Sequence, residues 1–315
     1  MKSKKTPAPA GGGWAVMDLG TNVFHLLIVD ADQQAMVREN VAVKLGEGGI
    51  NEGLIQPAAF ERGLAAMQQF NEHLLTHSVK KAKAIATSAL RNARNGQQFI
   101  DDVKATTGIA IEIIDGDKEA EYIYRGVKAA GCLSGHNTLI IDIGGGSVEF
   151  IICNSDTVHW KQSFEIGAAR MMDKFHQTDP IPPESIAALN THLEDNLKAL
   201  FAAASTYPID NAIGSAGSFE TYAELAERKS GNPFNLEKIK QYAFDQHELL
   251  SVLETLVRST HQERVSNKTL IPVRVDMIVS ASLITLFILK KLRINKVMMS
   301  TSSLKEGVLA EMMDL

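Results

Sequence analysis

Apolar residues in this chain come in short runs broken by glycine, and the runs occur in pairs. Residues 14–18 and 23–29 read as two strands joined by a turn at Gly20, with a third strand over 35–45. Residues 139–143 and 148–152 repeat that arrangement around Gly144, Gly145 and Gly146. Between them the period changes. Phe60, Leu64, Met67, Phe70, Leu74 and Leu75 recur at helical spacing and predict a helix over 58–77. Strands at 82–86 and 111–114 then alternate with helices at 97–107 and 118–130. Beyond the second turn come a strand at 157–164, a short helix at 167–175 and a long helix from Pro183 to about residue 204. A strand from Ala212 enters a small-residue turn, 214–218, and a helix starts at Phe219. The pattern is helical over 235–261, a buried helix covers 277–289, and a strand at 296–300 precedes a terminal helix that packs back on the first half. This order predicts a two-lobed α/β protein with its ligand in the cleft.

The two turns share a grammar. Asp18-Leu19-Gly20-Thr21-Asn22 and Asp142-Ile143-Gly144-Gly145-Gly146-Ser147 each place an aspartate at a strand end, then glycine, then a hydroxyl residue. Two copies of one strand-turn-strand unit predict a duplicated domain, each half supplying one phosphate-facing turn. Three glycines let a backbone approach a ligand with no side chain in the way. Successive exposed N–H groups there make an anion-binding concavity. Asp142 before the turn and Glu149 after it suit a divalent cation beside a polyphosphate. Taken alone, the glycine run fits a tight β-hairpin at least as well.

Two other stretches carry candidate chemistry. Thr87-Ser88-Ala89-Leu90-Arg91-Asn92-Ala93-Arg94-Asn95 follows a strand end with hydroxyls and guanidinium groups suited to phosphate. A solvated helix start explains it equally well. Asp115-Gly116-Asp117 caps the next helix, and Glu119 falls in its first turn. Acidic residues there commonly complement the helix dipole, so the residues alone give Glu119 no catalytic role. The loop 44–53 is glycine-rich and expected to be mobile.

Composition then narrows the class. The 315 residues allow two domains, and 45% hydrophobic with 22% charged residues is the balance of a soluble globular protein. A net charge of -5 argues against a nucleic-acid surface, so an anionic substrate needs a local basic pocket. Cys132 and Cys153 form no disulfide framework and no zinc set, which fits a reducing cytoplasm. The lead-in, 1–13, has charge but no apolar core and is not a signal peptide. The run 277–289 is shorter than the ~20 residues of a membrane span. A cytoplasmic protein with no membrane or nucleic-acid partner is expected.

Six blocks, taken in order and spacing, resemble the exopolyphosphatase/guanosine pentaphosphate phosphohydrolase (Ppx/GppA) family. They are Asp18–Asn22, Thr87–Asn95, Ile113–Ala120, Asp142–Glu149, Gly214–Ser218 and Ser300–Gly307, and they span nearly the whole chain after the lead-in. The resemblance implies two ribonuclease-H-like domains of the actin/Hsp70/sugar-kinase superfamily, with an interdomain cleft. Domain I would cover 14–125, completed by the terminal helix 303–315, and domain II 126–302. It also implies removal of the terminal phosphate from inorganic polyphosphate or guanosine pentaphosphate, usually with Mg²⁺. By motif match, Glu119 is the carboxylate that orients and deprotonates the attacking water. Asp142 is the metal-associated aspartate, and Glu149 a second acidic position for metal or water. Gly144, Gly145, Gly146 and Ser147 cradle the terminal phosphate. Asp18, Gly20, Thr21 and Asn22 form the first phosphate turn, and Arg91 is the basic contact. Members often dimerise, so a homodimer is an expectation.

Three positions depart from the family pattern. Lys118 replaces the first Glu of its Glu-Glu-Ala motif, Asp115 the Ser of its Ser-Gly turn, and Lys305 the Arg of its Arg-Glu-Gly motif. Lysine keeps that charge but loses bidentate geometry. The chain ends near residue 315, without the C-terminal helical domains that help longer members bind long polymers, so the sequence does not decide processivity. Two rival readings differ in class. One is a non-catalytic alarmone or polyphosphate sensor. The other is an ATP-dependent kinase of the same superfamily, for which no sugar-binding constellation is evident.

Overall fold

The computed structural model describes residues 13–313 apart from Ala216 and Pro233. The lead-in up to residue 12, Ala216 of the small-residue turn and residues 314 and 315 of the stretch expected as a terminal helix lie outside the described residues. The chain opens as an antiparallel meander of β1 (Trp14–Leu19), β2 (Phe24–Val29) and β3 (Ala35–Val41). The expected third strand is shorter than 35–45 because Lys44 turns at φ 50° and its N–H goes to Asn22 O. The loop that follows is tied down: Gly46 donates to Thr21 O, and Arg94 to Gly53 O. After α1 (Pro57–Thr76), β4 (Lys81–Ala86) joins β1 in parallel. Then α2 (Ser88–Asn92) and α3 (Gly96–Thr107) lead to β5 (Ile111–Ile113), and the sheet order is β3-β2-β1-β4-β5.

The second sheet repeats this plan after α4 (Gly116–Ala129). Strands β6 (Thr138–Ile143), β7 (Val148–Cys153) and β8 (Val158–Phe164) form the meander. Next come α5 (Ala168–Phe175), α6 (Pro183–Asn196) and α7 (Lys198–Thr206). The expected single helix is broken at Leu197, whose φ of -98° and ψ of 16° leave the helical region. β9 (Asn211–Ser215) adds parallel to β6, and α8 (Gly217–Lys229) follows. The stretch read as one helix over 235–261 is three elements: a 3₁₀ turn, then β10 (Gln241–Ala243) and α9 (Gln246–Arg258). The reason is tertiary. Gln241–Ala243 pair with Met298–Ser300, and Asp245 caps α9 by accepting from Glu248 N. The chain closes with α10 (His261–Ser266), α11 (Ile278–Lys291), β11 (Val297–Ser300) and α12 (Leu304–Met312). The sheet order is β10-β11-β9-β6-β7-β8. No described helix is long and apolar enough to cross a membrane.

Strand alternation places three cores. Ala15, Met17 and Leu19 face the helices of the first half, and Leu139 and Ile141 those of the second. Their neighbours Val16 and Ile140 point the other way, into a third core with Tyr122 and Val127 of α4 and Leu304 and Val308 of α12. So α4 and α12 lie between the sheets. They pack backbone on backbone, and a Cβ on Gly307 would lie 1.8 Å from Tyr122 O. This layer brings both glycine turns and the start of α4 to one place.

Candidate active site

The β1–β2 and β6–β7 pairs have the same register. Asp18 stands opposite His25, and Asp142 opposite Glu149. The Gly144–Ser147 turn is a hairpin turn, as its simplest reading required, but it is also buttressed. Gly167, Ala168, Ala169 and Arg170, at the start of α5, donate to the carbonyls of Gly146, Gly144 and Gly145. Its other side meets the first turn. A Cβ on Gly145 would lie 2.1 Å from Asn22 Nδ2, and one on Gly146 2.8 Å from Thr21 Oγ1. The cleft is closed to contact, with Asn22 and Thr21 against the glycine backbone. Asn22 Nδ2 also lies 2.6 Å from Met277 Sδ, on the far half.

Four carboxylates converge behind these turns. Asp18 Oδ1 is buried with no hydrogen-bond partner. Burial pushes Asp18 up to about 7, Asp142 adds to the rise, and Lys305 opposes it. Asp142 accepts from Ser303 Oγ at 2.5 Å, and burial raises its carboxyl despite that bond. Glu149 is buried and accepts from Ser163 Oγ at 2.6 Å. Burial first, then the Asp142 charge, pushes it up to about 8. Glu119 is buried and held by Arg91 Nη1 at 2.9 Å from its Oε2. Burial and the Glu149 charge raise its carboxyl well above the usual range, and Arg91 offsets this only in part. His25, the counterpart of Glu149, is a neutral ring. Desolvation and Lys305 push it down to about 4, and it pairs with Asn40 Oδ1 at 2.6 Å. The duplicated halves thus present different chemistry at one register position.

Can these groups hold a divalent cation? No cluster of three or more His, Cys, Asp and Glu fit for a metal is present among the described residues. The unpartnered Asp18 Oδ1 and the charge pressure between Asp18 and Asp142 nevertheless fit a bound cation. Mg²⁺ needs only one or two carboxylates when phosphate and water complete its shell.

The structure brings together Asp18, Gly20, Thr21 and Asn22 on the first turn, Asp142 to Glu149 on the second, and Glu119 with Arg91 beside them. It also adds residues that sequence reasoning missed. Arg91 donates to Ile114 O at 3.0 Å and to Glu165 at 3.4 Å. Glu165 in turn takes Ser88 and Arg170. Ser88 and Asn92 lay inside a stretch already marked for phosphate, but nothing local pointed to Glu165 or Arg170.

Comparison with known proteins identifies the family. Residues 27–315 match the Ppx/GppA phosphatase family. The chain belongs to that family. It is a hydrolase acting on acid anhydrides. It is 27% identical over 313 residues to exopolyphosphatase 2 of Mycobacterium tuberculosis, covering 93% of this chain and 96% of that one. It is 25% identical to the guanosine-5'-triphosphate,3'-diphosphate pyrophosphatase of Vibrio parahaemolyticus, over 96% of this chain and 59% of that protein. The crystal structure of an exopolyphosphatase from Cytophaga hutchinsonii matches with a TM-score of 0.93 at 40% identity, over 96% of this chain and 98% of that one.

The three departures from the Ppx/GppA pattern have local explanations. Asp115, where the family has serine, caps α4 by accepting from Lys118 N at 2.7 Å. The Lys118 ammonium turns away from Glu119 and binds Glu311 of α12 at 2.8 Å. Lys305 stays 3.4 Å from Glu306. Burial alone would lower Lys305, but Glu306, Glu220 and Asp18 more than offset it and keep it charged.

Proposed function

We propose that the protein removes the terminal phosphate from inorganic polyphosphate or guanosine pentaphosphate, with Glu119 as the base. The observation that carries this is the placement of Glu119. It is a buried carboxylate with raised proton affinity, gripped by Arg91, at the junction of two glycine turns. A carboxylate whose proton affinity is raised is a stronger base toward water than an ordinary one. The water oxygen bonds to the terminal phosphorus as the bridging P–O bond breaks. The leaving chain keeps the electron pair, and Glu119 takes the water's proton.

Phosphoryl transfer is mostly positioning and charge neutralisation. The Gly144–Ser147 backbone and the Asp18–Asn22 turn cradle the terminal phosphate once Asn22 and Thr21 part from Gly145 and Gly146. Arg91 faces the developing charge. Asp18 and Asp142 would hold Mg²⁺, and Glu149 would orient water or complete its shell. When bound, Mg²⁺ neutralises charge on the transferring phosphate. Lys118 points to Glu311 and does not pair with Glu119, which favours turnover over a sensor that only binds. The 40% identity to a solved exopolyphosphatase makes inorganic polyphosphate the first substrate to try. Phosphate release is measured in parallel from short polyphosphate, long polyphosphate and guanosine pentaphosphate, with and without Mg²⁺. Release from at least one, without ATP, is expected; none from any would reject the assignment.

A further inference from the structure

Glu165 belongs to no motif, yet it receives an unusual set of donors. Its Oε2 accepts from Ser88 Oγ at 2.8 Å and from Arg170 Nη2 at 2.6 Å. Its Oε1 lies 3.4 Å from Arg91 Nη2, and the Asn92 amide, which donates to Ser88 Oγ at 3.2 Å, stands beside it and helps hold its charge. Burial acts to raise the Glu165 carboxyl, but Asn92, Ser88, Arg170 and Arg91 together hold it below the usual range. Two guanidinium groups, a hydroxyl and an amide converging on one point is a donor set suited to a phosphate group.

The position of this set is as telling as its chemistry. A Cβ on Gly146 would lie 2.5 Å from Ser88 Oγ, and Arg170 Nε donates to Gly146 O at 3.1 Å. Arg91 carries Glu119 on its Nη1. The donors therefore adjoin both the glycine turn and the candidate base. Ser88, Arg91 and Asn92 come from α2 in the first half, Arg170 from α5 in the second. Arg170 also reaches Ile50 O at 3.0 Å, so the group clasps the halves in their closed state. Packing does not force a carboxylate into this place. The Glu165 side chain is 44% exposed and can swing into water.

We propose that Ser88, Arg91, Asn92 and Arg170 form a second phosphate subsite beside the terminal-phosphate turn. Glu165 occupies it as a tethered competitor until a phosphoanhydride chain displaces it. This rests on the phosphohydrolase reading and adds to it. The terminal phosphate takes the glycine turn, its neighbour takes the two guanidinium groups, and the bond between them is the one cut. A competitor that fills a subsite lowers apparent affinity by the fraction of sites it blocks.

The test uses tripolyphosphate, long enough to fill both subsites, with wild type, Glu165→Gln and Glu165→Ala. Both variants are expected to lower KM about fivefold or more, with kcat within about twofold. An unchanged or higher KM in variants with wild-type melting curves overturns the proposal, and Glu165 is then only a clasp. Calorimetry of tripolyphosphate binding, with Glu119→Gln against the Glu119→Gln, Glu165→Gln double variant, separates this question from turnover. Tighter binding by the double variant supports the subsite even if wild type releases no phosphate, an outcome that rejects only the phosphohydrolase reading. Equal or weaker binding rejects the subsite even if wild type is active. Should both Glu165 variants fail to fold, Arg170→Lys decides. A KM rise of about tenfold with kcat retained is expected from losing the guanidinium fork, and an unchanged KM rejects the subsite.

Discussion

Arg91 Nη1 donates to Glu119 Oε2 at 2.9 Å, joining α2 to α4. The same nitrogen holds Ile114 O at 3.0 Å, so the guanidinium is fixed from two sides. Its charge offsets part of the rise that burial and Glu149 impose on Glu119. Arg91→Ala is therefore expected to cut kcat about 100-fold or more, the scale of losing one charge-stabilising donor. It should also move the pH–rate rise to higher pH, because the base loses its cation. A steady-state pH profile of the variant checks both effects.

The pH dependence of the wild type has a definite sign. Glu119 and Glu149 are both raised, and each ionised form discourages the other. The base acts only when ionised. Turnover should therefore rise with pH above the ordinary carboxylate range, approaching tenfold per unit below the pair's apparent pKa. Glu149→Gln removes one charge, and any residual activity should rise at lower pH. A flat profile over this range would contradict the assignment.

Asp18 makes a prediction about stability. Its carboxyl sits at about 7 when folded against an ordinary 3.8. The folded state thus binds the extra proton, and the stabilisation is complete below about pH 4 and lost as pH rises through about 7. Above that, the chain carries a carboxylate with one buried, unpartnered oxygen. Asp18→Asn should stabilise the fold at pH 8 without divalent cations, on the order of a few kcal/mol. The gain should vanish near pH 4. Adding Mg²⁺ at pH 8 should raise the wild-type Tm more than the variant's.

The Gly126–Gly307 contact is a packing test. A methyl at Gly307 would lie 1.8 Å from Tyr122 O, and one at Gly126 2.0 Å from Ser303 O. Gly307→Ala is expected to cost about 1–3 kcal/mol, seen as a lower midpoint in denaturant melts. Gly135→Ala, where nothing lies within 4 Å, should change stability by less than about 0.5 kcal/mol.

The strand-turn-strand units were legible because glycine, aspartate and period-2 apolar runs are local signals. Their matching registers follow from those signals. Glu119 was different. Its position at a helix start was plain, but a dipole role explained it as well, and only the resemblance to the family singled it out. Burial beside Glu149 now supplies a physical reason. Glu165 and Ser303 could not be read locally. Their partners Arg91 and Asp142 stand 74 and 161 residues away. The same holds for β10, which looked helical and became a strand because β11 offered it an edge. The break at Leu197 has no strong local breaker, since proline and glycine are both absent there.

The central claim is that Glu119 is the base, and Glu119→Gln tests it most directly. The amide keeps the shape and can still meet Arg91, but it cannot take a proton from water. Phosphate release from tripolyphosphate and from guanosine pentaphosphate is measured beside tripolyphosphate binding and a thermal melt. The expected result is a loss of about 1,000-fold in kcat, within the range for removing a single general base. Binding should be retained and the fold intact. Near-wild-type phosphate release from the folded variant would contradict the account.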